Sequence, residues 1–183
     1  MKKIIASLAA FMLIICGLFT LASCNNDSFY NEWHSAGAEI ETDNVFKSVT
    51  VSDVENLIKD SENNTFALFM GSSANSGAVS DVTAMQYTAN VKNYDGKVYF
   101  LTTTNLIKNN FVGNVKEIKE KLGNKVDISE FGTNVVCVMY EKGRIKFITT
   151  DNTDEDVKQF IIDGSVSIVS VLEYVIEICP AKK

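Results

Sequence analysis

The sequence contains one histidine and one proline, and the shortage of histidine excludes several kinds of active site. A Ser-His-acid triad would have to use His34, and a zinc site lacks enough Cys and His ligands. We predict that His34 is a surface or packing residue. A phosphate loop is also missing, because Gly71 and Gly77 are six residues apart and Ala78 and Val79 follow in place of Lys-Ser/Thr. The sequence therefore predicts no metal site and no cofactor.

Positive charge is scarce as well. The chain has 17 basic and 23 acidic residues, a formal net charge of -6. Removing the first 23 residues also removes Lys2 and Lys3, which leaves 15 basic against 23 acidic residues, or -8. Such a chain repels nucleic acid and anionic lipid, so no nucleic-acid partner is expected. A hydrophobic content of 46% in 183 residues is sufficient for one globular domain with a core.

The N-terminus has the pattern of an export signal. Met1-Lys2-Lys3 is basic, an apolar run extends from Ile4 to Leu21, and small residues precede Cys24. Residues 1–23 are predicted to be a signal peptide, and residues 24–44 to be a polar tether. Phe29, Tyr30 and Trp33 are too aromatic for a pure spacer, which leaves open that some of them pack on the domain. The alternative is a retained transmembrane anchor, because the run is about long enough to span a bilayer.

The last residues of this signal carry a more specific pattern. Leu21-Ala22-Ser23-Cys24 resembles the lipobox of bacterial lipoproteins. The resemblance implies that Cys24 is diacylated on its sulfur and becomes the first residue of the mature chain. Two acyl chains give stable anchoring. The expected location is therefore the extracytoplasmic face of the cell membrane, with the membrane as a partner through the lipid anchor.

Of the four cysteines, two remain in the body of the chain. Cys16 would be discarded with the signal peptide, which leaves Cys137 and Cys179 beside the lipidated Cys24. Outside the cytoplasm a disulfide between these two is permitted, and their spacing does not decide whether they pair. Cys137 lies in an apolar run, which favours a small buried hydrophobic residue.

From residue 45 onward the chain alternates between predicted strands and helices. The strands are 45–51, 66–70, 97–103, 135–140 and 145–149, and the runs 66–70 and 135–140 are apolar enough to be buried on both faces. Helices are predicted at 53–60, from about residue 79, from Asn114, from Thr153, and at 168–179. The β-branched content of the last of these segments would also suit a strand. Ser52 and Glu55 form a capping box, and Thr153 is the predicted N-cap of its helix. The strands joined by the helix after residue 79 should be parallel neighbours.

This order of elements resembles the thioredoxin fold over residues 45–163. Residues 68–73 look like the strand that leads into a thioredoxin active site, residues 135–144 like the late hairpin of the family, and residues 153–160 like the start of its final helix. The resemblance implies an α/β fold, a three-layer sandwich with a central mixed sheet. The thioredoxin-like domain would occupy residues 45–183 and include a C-terminal helical extension.

The departures from the family pattern concern its active site. The Cys-x-x-Cys motif would fall at Asn75, Ser76, Gly77 and Ala78, which contain no cysteine. The proline that faces this turn would fall near residues 133–134, and the buried acid would lie between residues 66 and 70; both are missing. Thiol exchange requires a thiolate, so this degenerate active-site loop cannot perform it.

These departures predict a binding or accessory domain without catalysis, whose partner is a peptide, a protein or an envelope component. Two alternatives stay open at this point. One is a thiol-disulfide accessory protein that uses Cys137 and Cys179. The other is a small-ligand receptor that uses the loop from Gly71 to Gly77, whose backbone amides could accept an anion.

Overall fold

The computed structural model describes residues 28–60, 65–104, 116, 120 and 133–179. Its helices are α1 (described over 28–35), α2 (Val51–Asp60), α3 (Ser76–Val91), α4 (Glu155–Lys158) and α5 (Ile168–Ile178). Its strands are β1 (Phe46–Ser48), β2 (Thr65–Gly71), β3 (Val98–Thr102), β4 (Val136–Glu141), β5 (Arg144–Ile148), β6 (Ile161–Ile162) and β7 (Ser165–Val166). The predicted signal peptide and Cys24 lie outside the described residues. So does most of the helix predicted from Asn114, of which Lys116 and Glu120 are described and helical.

A five-stranded mixed sheet forms the centre of the fold, in the order β1-β3-β2-β4-β5. Strands β1, β3 and β2 run parallel, whereas β4 is antiparallel to both β2 and β5. The predicted α/β class with a mixed central sheet is confirmed. The parallel pairing of β2 with β3 and the late hairpin of β4 and β5 are confirmed as well.

Strand β2 lies in the middle of this sheet and is buried on both faces. Phe66, Leu68 and Met70 face a cluster that includes Val54 of α2. Between them, Ala67 and Phe69 face the opposite side and pack with α1, α3 and α5. Helices therefore cover both faces, an arrangement compatible with the predicted three-layer sandwich. The continuous apolar run follows from this double burial.

The prediction that residues 24–44 form a tether is wrong for residues 28–44, which pack on the domain. Phe29 and Trp33 of α1 are 2% and 0% exposed and pack with Phe46 and Phe100 of the sheet. The ring centroids of Phe29 and Phe46 are 4.8 Å apart, and those of Trp33 and Phe100 are 5.2 Å apart. Because the two α1 aromatics are four residues apart, they lie on one face of the helix and enter the core together. This segment belongs to the domain.

The capping box of α2 lies two residues before the predicted one. Thr50 N donates to Asp53 Oδ2 at 2.8 Å, and Asp53 N donates to Thr50 Oγ1 at 3.3 Å. The reciprocal cap therefore uses Thr50 and Asp53 in place of Ser52 and Glu55. Glu55 instead forms an exposed ion pair with Lys59 at 3.4 Å.

Helix α4 is shorter than predicted and begins one residue later. Asp154 is its N-cap and accepts from Asp156 N, whereas the Thr153 hydroxyl donates to Asp151 Oδ1 at 2.6 Å. The helix has four residues, and the short hairpin of β6 and β7, which the sequence did not predict, follows it. Because Thr153 turns back towards Asp151, it is not available as a cap.

Helix α5 confirms the helix predicted over 168–179. It buries the apolar stripe Ile168, Val171, Leu172 and Val175, and Ser167 caps it by accepting from Ser170 N. Glu173 forms an ion pair with Lys92, just after α3, at 3.0 Å. The predicted C-terminal extension is therefore packed beside α3 as part of one helical layer.

Candidate functional site

The candidate site is the loop at the carboxyl end of β2, where the central strand passes into α3. In open α/β sheets, ligands bind outside the carboxyl ends of the strands. Asn75 is the N-cap of α3, with extended backbone angles and no capping hydrogen bond from its side chain. Ser76 is exposed, Gly77 is half-buried, and Ala78 is buried in the core. The predicted turn therefore lies at the first turn of a helix.

Hydroxyl groups fill the loop and bond to one another. Ser73 Oγ donates to Glu32 Oε1 of α1 at 2.9 Å and lies 2.8 Å from Thr104 Oγ1. A hydroxyl has one proton, so the Thr104 hydroxyl must donate to Ser73 Oγ. Ser72 Oγ in turn donates to Thr104 Oγ1 at 3.4 Å, and Ser73 N does so at 2.8 Å. The chain of donors ends on the Glu32 carboxylate and includes no histidine.

Residues 133 and 134, which precede β4, pack closely against the start of α3. A Cβ built on Gly77 would lie 2.3 Å from the backbone oxygen of Thr133 and 3.0 Å from Asn134 Oδ1. Real Cβ atoms essentially never approach a backbone atom so closely, so only glycine fits here. The backbone of residues 133–134 thus covers the turn at the position where a side chain would otherwise project.

Asp81 fixes the connection before β4 one turn further along α3. Its Oδ2 accepts from Val135 N at 2.8 Å. Burial raises the pKa of Asp81, and the hydrogen bond from Val135 acts in the opposite direction. The carboxylate therefore acts as a clamp between α3 and the start of β4.

Helix α1 covers the neighbouring edge of the loop. Trp33 Nε1 donates to Thr102 Oγ1, at the end of β3, at 3.1 Å. Together with the contact of Glu32 to Ser73, this joins α1 to both β3 and the loop. The loop is enclosed between α1 on one side and residues 133–134 on the other.

The two cysteines of the domain lie away from this loop, and both are free thiols in the structure. Cys137 is fully buried opposite Phe69, and burial raises the pKa of its thiol. Cys179 Sγ donates to the carbonyl of Thr65 at 3.3 Å, at the start of β2, whereas the loop follows its end. Burial also raises the pKa of Cys179 to about 11. Both thiols are therefore protonated and weakly nucleophilic at neutral pH.

His34 and the acidic residues near the surface add no catalytic group to the loop. His34 is exposed and stacks on Tyr30, with ring centroids 4.9 Å apart. Among the residues that the structure describes, no group of three or more His, Cys, Asp or Glu side chains could hold a metal ion. No helix within the same described ranges is long and apolar enough to cross a membrane.

Sequence reasoning missed three of the residues that close the loop: Glu32, Asp81 and Thr104. One signal was available for Thr104, since it follows the predicted strand beside β2. The carboxyl ends of parallel neighbours meet at one edge of a sheet, which brings Thr104 to the two loop serines. The spacing of Phe29 and Trp33 was the available signal for α1. No pattern in the sequence relates Asp81 to residue 135.

Comparisons of this chain with protein-family models, with curated proteins and with solved structures find no match.

Proposed function

We propose that this chain is an extracytoplasmic lipoprotein, anchored through Cys24, whose thioredoxin-like domain binds a partner and performs no thiol chemistry. The observation that carries this proposal is the closed turn at the start of α3. Its four positions from Asn75 to Ala78 contain no thiol, and Glu32, Thr104 and residues 133–134 occupy the space around it. Because this turn is covered and lacks a thiol, we expect the domain to act through its outer surface.

The sheet supports the thioredoxin-like part of the proposal. Three parallel strands are followed by an antiparallel hairpin, and the loop in question lies between the central strand and the helix that follows it. Residues 133–134 contact Gly77 where the family places its proline opposite the active site. Asn75 and Ala78, the positions of the two family cysteines, are the N-cap and a buried residue one turn later.

The length of the chain before α1 bears on how the domain would sit on a membrane. The described helix includes residue 28, four residues after Cys24. A chain spans at most about 3.6 Å per residue, so the acylated sulfur would lie within roughly 20 Å of α1 once its side chain is included. With residues 28–44 packed in the domain, the domain would be held close to the bilayer.

The two alternative functions receive less support from the geometry. Thiol exchange by Cys137 and Cys179 would need accessible thiolates, whereas burial raises the pKa of both thiols. A small-ligand receptor at the loop from Gly71 to Gly77 would need free backbone amides. The amides of Ser73, Ala74 and Asn75 already donate to Thr104 Oγ1, Ser72 Oγ and Ser72 O.

A cysteine-restoration experiment tests the thioredoxin-like and non-catalytic parts together. The full chain should not reduce insulin in the presence of dithiothreitol. The double variant Asn75→Cys/Ala78→Cys should gain activity, because a thiol at a helix N-terminus has a lowered pKa. The control Ser73→Cys/Ser76→Cys has the same spacing in the wrong register and should gain none. Turnover by the unmodified chain would contradict the non-catalytic role, and an inactive restored variant would contradict the thioredoxin-like geometry.

Metabolic labelling tests the anchor separately. Cys24→Ala should abolish incorporation of labelled palmitate and leave an unprocessed precursor, whereas the control Cys16→Ala should be labelled as fully as the original chain. Continued labelling of the Cys24→Ala chain would refute the assignment of the anchor.

A further inference from the structure

A groove follows the outer face of α3, away from the closed turn. One wall is α3 itself, and the other is the segment after α1, residues 37–41. Together they border an open groove of about 860 Å³. Glu39 N donates to Thr83 Oγ1 at 3.0 Å, which fixes the distance between the two walls. The groove is a built feature of the fold, because Ala38 and Ile40 anchor its outer wall in the core.

The lining of this groove includes two carboxylates, and His34 is its one basic side chain. Glu39 and Glu41 line it and are exposed, and no lysine or arginine is among its lining residues. Neither carboxylate forms an ion pair with another described residue, and Asn90 Nδ2 donates to Glu41 Oε1 at 3.5 Å. The groove therefore presents hydrogen-bond acceptors that lack cationic partners.

A buried amide gives a second, independent indication of a ligand. Gln86 lies at the base of the groove and is 3% exposed. Its Nε2 donates to Asn90 Oδ1 at 2.9 Å, but its Oε1 is buried and accepts from no residue that the structure describes. Buried acceptors are almost always paired, and leaving one unpaired costs stability. A donor brought by a ligand would satisfy it once the amide turns towards the groove.

The rim of the groove adds an apolar surface of the kind that a long cationic side chain prefers. Tyr87 is 71% exposed and lines the groove, and Val91, one turn further along α3, is 59% exposed. A lysine side chain can lay its alkyl stem on such residues while its ammonium group lies near an aromatic face.

We propose that this groove binds a lysine-bearing segment of a partner protein. The ammonium group lies between Glu39 and Glu41, one of its protons is donated to Gln86 Oε1, and its stem packs on Tyr87. This deepens the proposed function, on which it rests, by naming the chemistry of the partner. Two carboxylates on one wall are too few for a metal site, and their charge repels an anionic lipid surface.

Peptide titration of the full chain in non-ionic detergent tests the proposal. The probes are fluorescein-labelled Ala-Lys-Ala-Lys-Ala-Lys-Ala and the same peptide with glutamate in place of lysine. The lysine peptide should bind saturably, more weakly as salt rises from about 50 to about 300 mM, and the glutamate peptide should not bind. Glu39→Gln/Glu41→Gln should raise the Kd roughly tenfold. The control Glu55→Gln/Glu177→Gln changes the net charge equally outside the groove and should leave the Kd within about twofold.

Gln86→Met separates binding from folding. Methionine keeps the length of the side chain and removes the unpaired acceptor, so the Tm should not fall, while the Kd should rise about fivefold. Equal weakening by both pairs of glutamate substitutions would show attraction to net charge alone and would overturn the inference. Absence of saturable binding would overturn it too, while leaving the proposed function to its own tests of insulin reduction and labelling.

Discussion

The polar groups near the start of helix α3 have partners within the chain, whereas some of those along its outer face do not. Near the start of the helix, the Asp81 carboxylate accepts from Val135 N, and the hydroxyl of Ser73 in the preceding loop donates to Glu32 Oε1. Along the outer face, Gln86 Oε1 accepts from no described residue and Glu39 has no counter-ion among them. Polar groups satisfied within the chain stabilise the fold, whereas an unsatisfied group beside a groove can gain a partner when a ligand binds. The comparison assigns structure to the turn and binding to the groove.

The closure of the loop before α3 depends most on α1, so a substitution in α1 should have the largest effect on stability. Trp33→Ala should lower the free energy of unfolding by about 4 kcal/mol, because it empties a site that is 0% exposed and removes the bond to Thr102. Urea unfolding measures this loss. The neighbour His34 is exposed, and His34→Ala should cost less than about 0.5 kcal/mol. A similar small cost for both substitutions would restore the tether interpretation.

Disturbing the contact between Gly77 and residue 133 should have the next largest effect on the free energy of unfolding. Gly77→Ala should destabilise the domain by about 2 kcal/mol, since the new methyl group meets a backbone oxygen that cannot rotate away. Ser80→Ala, at an exposed position of the same helix, should change stability by less than about 0.5 kcal/mol. Stabilisation by Gly77→Ala, which is the usual result inside a helix, would mean that the turn is open.

The hydrogen bonds that join Thr104, Ser73 and Glu32 should contribute less to the free energy of unfolding. Ser73→Ala leaves the Thr104 hydroxyl and the Glu32 carboxylate without their shared partner and should cost about 1 kcal/mol. The control is Ser76→Ala, at an exposed position of the same turn, with an expected cost below about 0.5 kcal/mol. Equal stability of both variants would show that these hydrogen bonds do not hold the loop closed.

The pH dependence of stability should show the smallest effect. Because the folded-state pKa of Asp81 is raised, its contribution is fully present below its ordinary value of 3.8 and is lost as pH rises through the folded value. Asp81→Asn removes this titration, so the original chain should lose stability relative to the variant as pH rises from about 4 towards neutral. Asp53 provides a control of opposite sign, since hydrogen bonds from the Thr50 side chain and backbone lower its pKa. Parallel pH curves for Asp81→Asn and the original chain would contradict the burial of this carboxyl group.

The sheet could be predicted from sequence because burial on both faces leaves a continuous apolar run, as in β2 and β4. The start of α2 could not be predicted, since Thr50 and Ser52 each begin a possible capping box. Val49 N donates to Phe100 O at 3.0 Å, which continues the pairing of the chain with β3 up to Val49. Thr50 is therefore the first residue free to cap, and only the tertiary pairing decides this.

The candidate site could be predicted in part. Its position followed from the strand, the small-residue loop and the helix start, and the absence of a thiol from the turn followed from four residue identities. Its closure depends on contacts between distant residues, such as Glu32 with Ser73. The groove likewise joins residues 37–41 to Asn90, and no local pattern encodes that contact.

The most direct test of the contrast between turn and groove is the amide NMR spectrum of the full chain in detergent, recorded while the lysine peptide is added. We expect the signals of residues 39–41 and 83–90 to shift in a saturable manner, and those of residues 73–78 to remain in place. Shifts concentrated at residues 73–78 would contradict the account, because they would place binding at the turn.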